Sequence, residues 1–127
     1  MRGARPISVR RLFFEEVITK NTSEDSRDII DLNHLAQNGN FSIQIYVETD
    51  GVIKVQYSLC CEKVPVNFLV PADATDIVAD FEDDSGPGGD GRAIYSFQPE
   101  LARWMKIKVT ETGTSNDGKI TLDLCTQ

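Results

Sequence analysis

The feature that most constrains this chain is the run FSIQIYVETDGVIKVQYSL at residues 41–59, where apolar and polar side chains alternate on both sides of Asp50 and Gly51. In the first half Phe41, Ile43, Ile45 and Val47 fall on one face and Ser42, Gln44, Tyr46 and Glu48 on the other, the period of a strand buried on one side. The second half repeats the pattern, with Ile53, Val55, Tyr57 and Leu59 set against Lys54, Gln56 and Ser58. Asp-Gly is a favoured pair where a tight hairpin needs positive φ, so the spacing predicts two strands turning at Asp50 and Gly51. A two-stranded ribbon cannot bury its apolar face alone. The rest of the chain must cover it.

Further strands are expected at residues 12–19, 28–32, 76–81, 92–97, 104–111 and 119–125. In the last two, Met105, Ile107, Val109, Ile120, Leu122 and Leu124 share the inward parity, and residues 112–118 between them read as a hairpin loop. In the strand at 12–19 either Phe13 or Phe14 faces outward if the other faces in. Residues 64–70 (VPVNFLV) carry Pro65, which cannot donate to a ladder, and read as an edge strand or an irregular crossover. Residues 99–103 (PELAR) have the makings of one helical turn. No stretch shows the period of a long amphipathic helix. The list predicts an all-β fold, an antiparallel two-sheet β-sandwich of jelly-roll or immunoglobulin-like kind.

The 127 residues suit one domain, expected at 12–127 behind an extended basic N-terminal arm at 1–11. No apolar run approaches the roughly 18–20 residues that span a bilayer. The first residues lack both a long apolar region and a small-residue cleavage site, so neither a signal peptide nor a membrane-embedded segment is expected.

The net charge of −7 is unevenly placed: residues 1–20 carry +3 and residues 21–127 carry −10. An acidic body repels phosphates, which argues against a specific nucleic-acid partner. The arm, with Arg2, Arg5, Arg10 and Arg11 followed by Phe13 and Phe14, is the exception: it could touch nucleic acid, but is better suited to the acidic face of a neighbouring copy, and a homo-oligomer is expected. Trp104, outward by parity, is a further candidate contact.

Signals for chemistry are weak. His34 is the sole histidine and has no partners that would make it a base or ligand. No nucleophile elbow or fixed carboxylate pair appears, so no enzyme and no cofactor are expected. Seven acids and no base lie between residues 73 and 90, and within them Asp80, Asp83, Asp84 and Asp90 form an alternative calcium set, although the ligand spacing of a dedicated loop is missing. The glycine-rich GPGGDG stretch has neighbours of the wrong sign for phosphate. Outward aromatics, Tyr46 and Trp104, keep a carbohydrate-binding module as an alternative. Cys60, Cys61 and Cys125 follow no zinc spacing; they are expected to be reduced, with a Cys60–Cys125 bridge possible only if their strands are neighbours.

The central run, followed by NFLVP, ATDIVADF and SGPGGDGRAIYSFQPELARWMKIKVTETG, resembles a group of small β-sandwich proteins encoded among the structural genes of tailed bacteriophages and prophages. The similarity covers about residues 41–113, and the PELA corner and VTET end carry most of it. The family's short Ser/Asn/Gly turn before the N-F corner is replaced here by residues 60–65, CCEKVP. What the resemblance implies is a virion component assembled in the host cytoplasm, such as a capsid decoration, neck or tail accessory subunit. Such a subunit is present in many copies, binds other virion structural proteins and has no enzymatic activity.

Overall fold

A computed structural model describes residues 7–25, 30–32, 40–61, 74–100, 102–113 and 115–126. Among these residues nine strands are formed: β1 (Ser8–Ile18), β2 (Ser23–Asp25), β3 (Ile30–Asp31), β4 (Phe41–Val47), β5 (Ile53–Cys60), β6 (Thr75–Phe81), β7 (Arg92–Phe97), β8 (Trp104–Glu111) and β9 (Gly118–Thr126). No helix occurs among the described residues. The strands form two antiparallel sheets, one ordered β1-β9-β4-β7 and the other β2-β8-β5-β6, with β3 also on β8. Because β2 meets residues 108–110 of β8 and β3 meets residues 104–105, the two short strands lie end to end along one edge.

The order of strands decides between the two expected sandwich topologies. β1 pairs with β9, β2 and β3 with β8, β4 with β7, and β5 with β6. These nested antiparallel pairs make one long ribbon, folded between β5 and β6 and rolled so that β4 also meets β9 and β5 also meets β8. That is the jelly-roll arrangement.

Alternation holds along the central strands. In β4 Phe41, Ile43, Ile45 and Val47 are buried, and in β8 and β9 every second residue is buried as the pattern predicts. Facing side chains from both sheets make one core, with Phe97 stacked between Phe41 and Tyr57 at centroid distances of 5.5 and 5.2 Å. In β5 the polar residues Gln56 and Ser58 are buried as well, and Gln56 donates its side-chain N–H to Asp76 at 2.8 Å.

Several expectations are corrected. β4 and β5 do not form a hairpin: the segment through Asp50 and Gly51 carries the chain from one sheet to the other. Gly51 is not among the positive-φ glycines; it is required because a Cβ there would stand 2.6 Å from the Cα of Gly118. The segment between β8 and β9 likewise crosses between sheets rather than turning within one. Alternation is the same in a hairpin and in a sheet-switching arch, so the period alone does not tell them apart. The described residues of 99–103 form no helix. The expected strand at 64–70, and His34, lie outside the described residues.

The N-terminal boundary also moves. Ser8 to Arg11, expected in the arm, belong to β1 and pair with residues 123–126 of β9. Cys60 and Cys125 lie in strands of different sheets, β5 and β9, so they are not neighbours, and none of the three cysteines forms a disulfide.

At one end of the sandwich the crossovers are tied to one another. Glu111, fully buried, accepts hydrogen bonds from the backbone N–H groups of Asn21 and Val52. The Asp117 carboxylate accepts from the N–H of Lys20 at 2.8 Å, and its carbonyl accepts from the Thr49 hydroxyl at 2.9 Å. Asn21, at φ 58, turns the chain so that Thr22 N–H reaches the carbonyl of Thr19 at 3.0 Å.

Candidate interface on the outer face and edge of the four-stranded sheet

The four-stranded sheet turns one face to the core and the other to solvent, and its register fixes which side chains share the outer face. Val9 lies opposite Cys125, Arg11 opposite Asp123 and Val17 opposite Lys119; on the far side Gln44 lies between Asp123 and Ile94. Arg11 makes a forked contact with Asp123, Nε to Oδ1 at 2.9 Å and Nη2 to Oδ2 at 3.3 Å. That hydrogen bond, and then the charge of Asp123, hold the guanidinium pKa above its ordinary value. Its cationic plane also lies 5.1 Å from the ring centre of Phe14.

β1 does not run straight against β9. Register shifts fall between Arg11 and Phe13 and between Phe13 and Glu16, where β1 carries extra residues. At the second bulge Glu15 takes φ 45, its N–H donates to the Thr121 hydroxyl at 3.0 Å, and its carboxylate lies 3.8 Å from Lys119 Nζ. Phe13, opposite Leu122, therefore points into the core and is 2% exposed, while Phe14 is 61% exposed. Phe13 is thus corrected from contact residue to core residue. The pair FF carries no signal for which ring goes in, because the bulges set it.

Toward β7 the outer face holds a small polar cavity of about 130 Å³, lined by Arg11, Gln44, Tyr46, Arg92, Thr121 and Asp123. Arg92 lies over the ring of Tyr46 at 4.3 Å. Beside it the loop at 82–91 walls an open groove of about 480 Å³ that includes Gln44, Pro87 and Ile94. The loop is closed on itself by Gly91 N–H to the Ser85 carbonyl at 2.9 Å and Ser85 N–H to that of Glu82 at 3.1 Å. It is joined to β4 by Val47 N–H to the Gly91 carbonyl at 2.9 Å. Gly91 takes φ 76, and a Cβ there would stand 2.5 Å from that same region of β4, at the Val47 carbonyl oxygen.

The alternative calcium residues are not gathered into a cage. Asp80 sits in β6 at φ 56, and Asp90 accepts a hydrogen bond from the N–H of Arg92 at 3.2 Å. Among the described residues no group of three or more His, Cys, Asp or Glu side chains is placed to hold a metal ion. Asp83 instead meets Asp50: partial burial first, then the charge of Asp50 and a hydrogen bond with it, and then Asp84, raise the Asp83 carboxyl above its ordinary value. A carboxyl raised in the fold favours its protonated form, so its stabilising contribution is complete below the ordinary Asp range and is lost as pH rises through the raised value. Asp83→Asn should therefore raise the melting temperature slightly at neutral pH, and the gain should shrink on acidification in a pH series of thermal melts.

Of the residues expected to contact partners, Arg2 and Arg5 lie outside the described residues. Arg10, Arg11 and Phe14 are brought together on β1. Trp104 lies in the other sheet, half-buried, with Arg103 over its ring at 4.7 Å and Arg103 in turn held by Asp31 at 2.9 Å. Unanticipated are the exposed apolar residues Ile7, Val9 and Val17 on and beside β1, and Ile94 on β7. Cys125, on the same outer face, has its thiol pKa pushed up by burial and then by Asp123.

The fold and this surface define an all-β jelly-roll sandwich with an exposed, partly apolar edge strand. No protein-family model matches the chain, and no curated protein matches its sequence.

Proposed function

We propose that this protein is a non-enzymatic structural subunit of the kind the resemblance to tailed-phage proteins implies, a capsid decoration, neck or tail accessory protein. In this reading it is built into a virion in the host cytoplasm by binding copies of itself and other virion structural proteins. The observation that carries the reading is β1. Of the five large apolar side chains exposed among the described residues, four (Ile7, Val9, Phe14 and Val17) lie on this edge strand or next to it. Edge strands of free-standing proteins are short, charged or covered, whereas an apolar one is a surface waiting for a neighbour.

A glycan-binding module would present open aromatic planes. Here one face of Tyr46 is taken by Arg92 and one face of Trp104 by Arg103, so the assembly reading is the better supported. The test is composition of the particle. Particles purified by density banding from cultures that make the protein should contain it in many copies by quantitative mass spectrometry. Its absence from banded particles, while abundant in the soluble lysate, overturns the reading.

A further inference from the structure

β1 carries its charges in an order that suits one partner. The sequence from Val9 to Val17 is VRRLFFEEV, with two arginines before the paired phenylalanines and two glutamates after them. We infer that β1 pairs with β1 of a second copy, antiparallel and centred on Phe13, so that the four-stranded sheet of one protomer continues into that of the other. This rests on the assembly reading above and names its first partner. Among the described residues β1 pairs only with β9, which leaves its other rim with the ladder groups of an edge strand.

In that register Val9 faces the partner's Val17, Arg10 faces Glu16, and Arg11 faces Glu15, each pair occurring at both ends of the two-fold. The faces match as well. Val9 and Val17 both lie on the outer face, opposite Cys125 and Lys119, and Arg10 and Glu16 both oppose inward residues, Leu124 and Ile120. Arg11 and Glu15 both reach outer-face residues, Asp123 and Lys119. A single bulge would have put the arginine half and the glutamate half on opposite faces; the two register shifts restore the parity.

Bulges and charges on an edge strand also serve to keep edges apart, and β6 shows what that looks like. Its charges are Asp76 and Asp80, both acidic, so a second copy is repelled, and its exposed residues are small or polar. β1 differs in both respects, with opposite signs in its two halves, Phe14 exposed between them and Val9 and Val17 exposed at either end.

Sedimentation equilibrium on the full chain tests the pairing. The wild type should dimerise. Arg10→Glu places carboxylates opposite carboxylates, and Glu16→Arg places guanidinium opposite guanidinium, so each variant alone should dissociate about tenfold more readily or worse. An equimolar mixture of the two variants should recover a dimer with one chain of each kind, because every contact is then attractive. Circular dichroism of each variant establishes that it is folded. A monomeric wild type at its highest soluble concentration, a dimer indifferent to both substitutions, or a mixture that stays monomeric overturns the pairing. Incorporation into particles, read separately by mass spectrometry, distinguishes loss of this pairing from loss of the assembly reading.

Discussion

Replacement of Glu111 by alanine is expected to cost about 3 kcal/mol of stability. Glu111 ends β8, is fully buried, and its two carboxylate oxygens accept from Asn21 and Val52, which belong to two different crossovers. Removing the side chain strands two backbone donors and leaves a void between the two segments. Glu111→Gln keeps the shape but turns one acceptor into a donor facing an N–H, so an intermediate loss of about 1–2 kcal/mol is expected. Urea unfolding of both variants orders them; a Gln variant as unstable as the Ala variant would place the effect in acceptor loss rather than in packing. An Ala variant as stable as the wild type would remove Glu111 from its role as a tie.

The second large effect belongs to Gly51. The crossover from β4 to β5 passes the start of β9 with glycine against glycine, and a Cβ on Gly51 would meet the Cα and N of Gly118 at 2.6 and 2.8 Å. Those atoms are backbone and cannot swing aside, so Gly51→Ala should cost about 3 kcal/mol. Gly118→Ala is the informative contrast. Its Cβ would meet the Cδ1 of Ile53 at 2.6 Å, the end of a side chain that can change rotamer, and alanine suits a strand better than glycine does. A change within about 1 kcal/mol is expected there. Equal losses at the two glycines in denaturant unfolding would contradict the asymmetry.

These two sites show where the sequence was legible and where it was not. Alternation placed Ile43, Ile45, Met105, Ile107, Ile120 and Leu122 inside, because burial on one face of a strand is a local property with a period of two. It did not tell that β4 and β5 part into different layers, because that depends on which strand lies beside which. By sequence alone the glycine at 51 reads as a turn residue, whereas its role depends on a contact with residue 118 that no local pattern carries. The Asp117 and Glu111 ties are of the same long-range kind.

For the candidate interface the position was legible and the detail was not. Arg10, Arg11 and Phe14 stood out as a basic and aromatic cluster, and all three lie on β1. The reading of that segment as an arm failed because four of its residues, 8–11, pair with the last strand, a partner more than a hundred residues away. Phe13 was separated from Phe14 by bulges whose non-glycine residue, Glu15 at φ 45, has no signature in the sequence. Val9 and Val17 passed as ordinary strand formers, and only their 64% and 56% exposure marks them as surface.

Everything said about assembly comes down to whether the free rim of β1 acquires a neighbour. Hydrogen–deuterium exchange on the full chain, run dilute and concentrated, reads this amide by amide. Slower exchange along β1 at the higher concentration, with β6 unchanged, is the predicted result; identical exchange along β1 at both concentrations would contradict it.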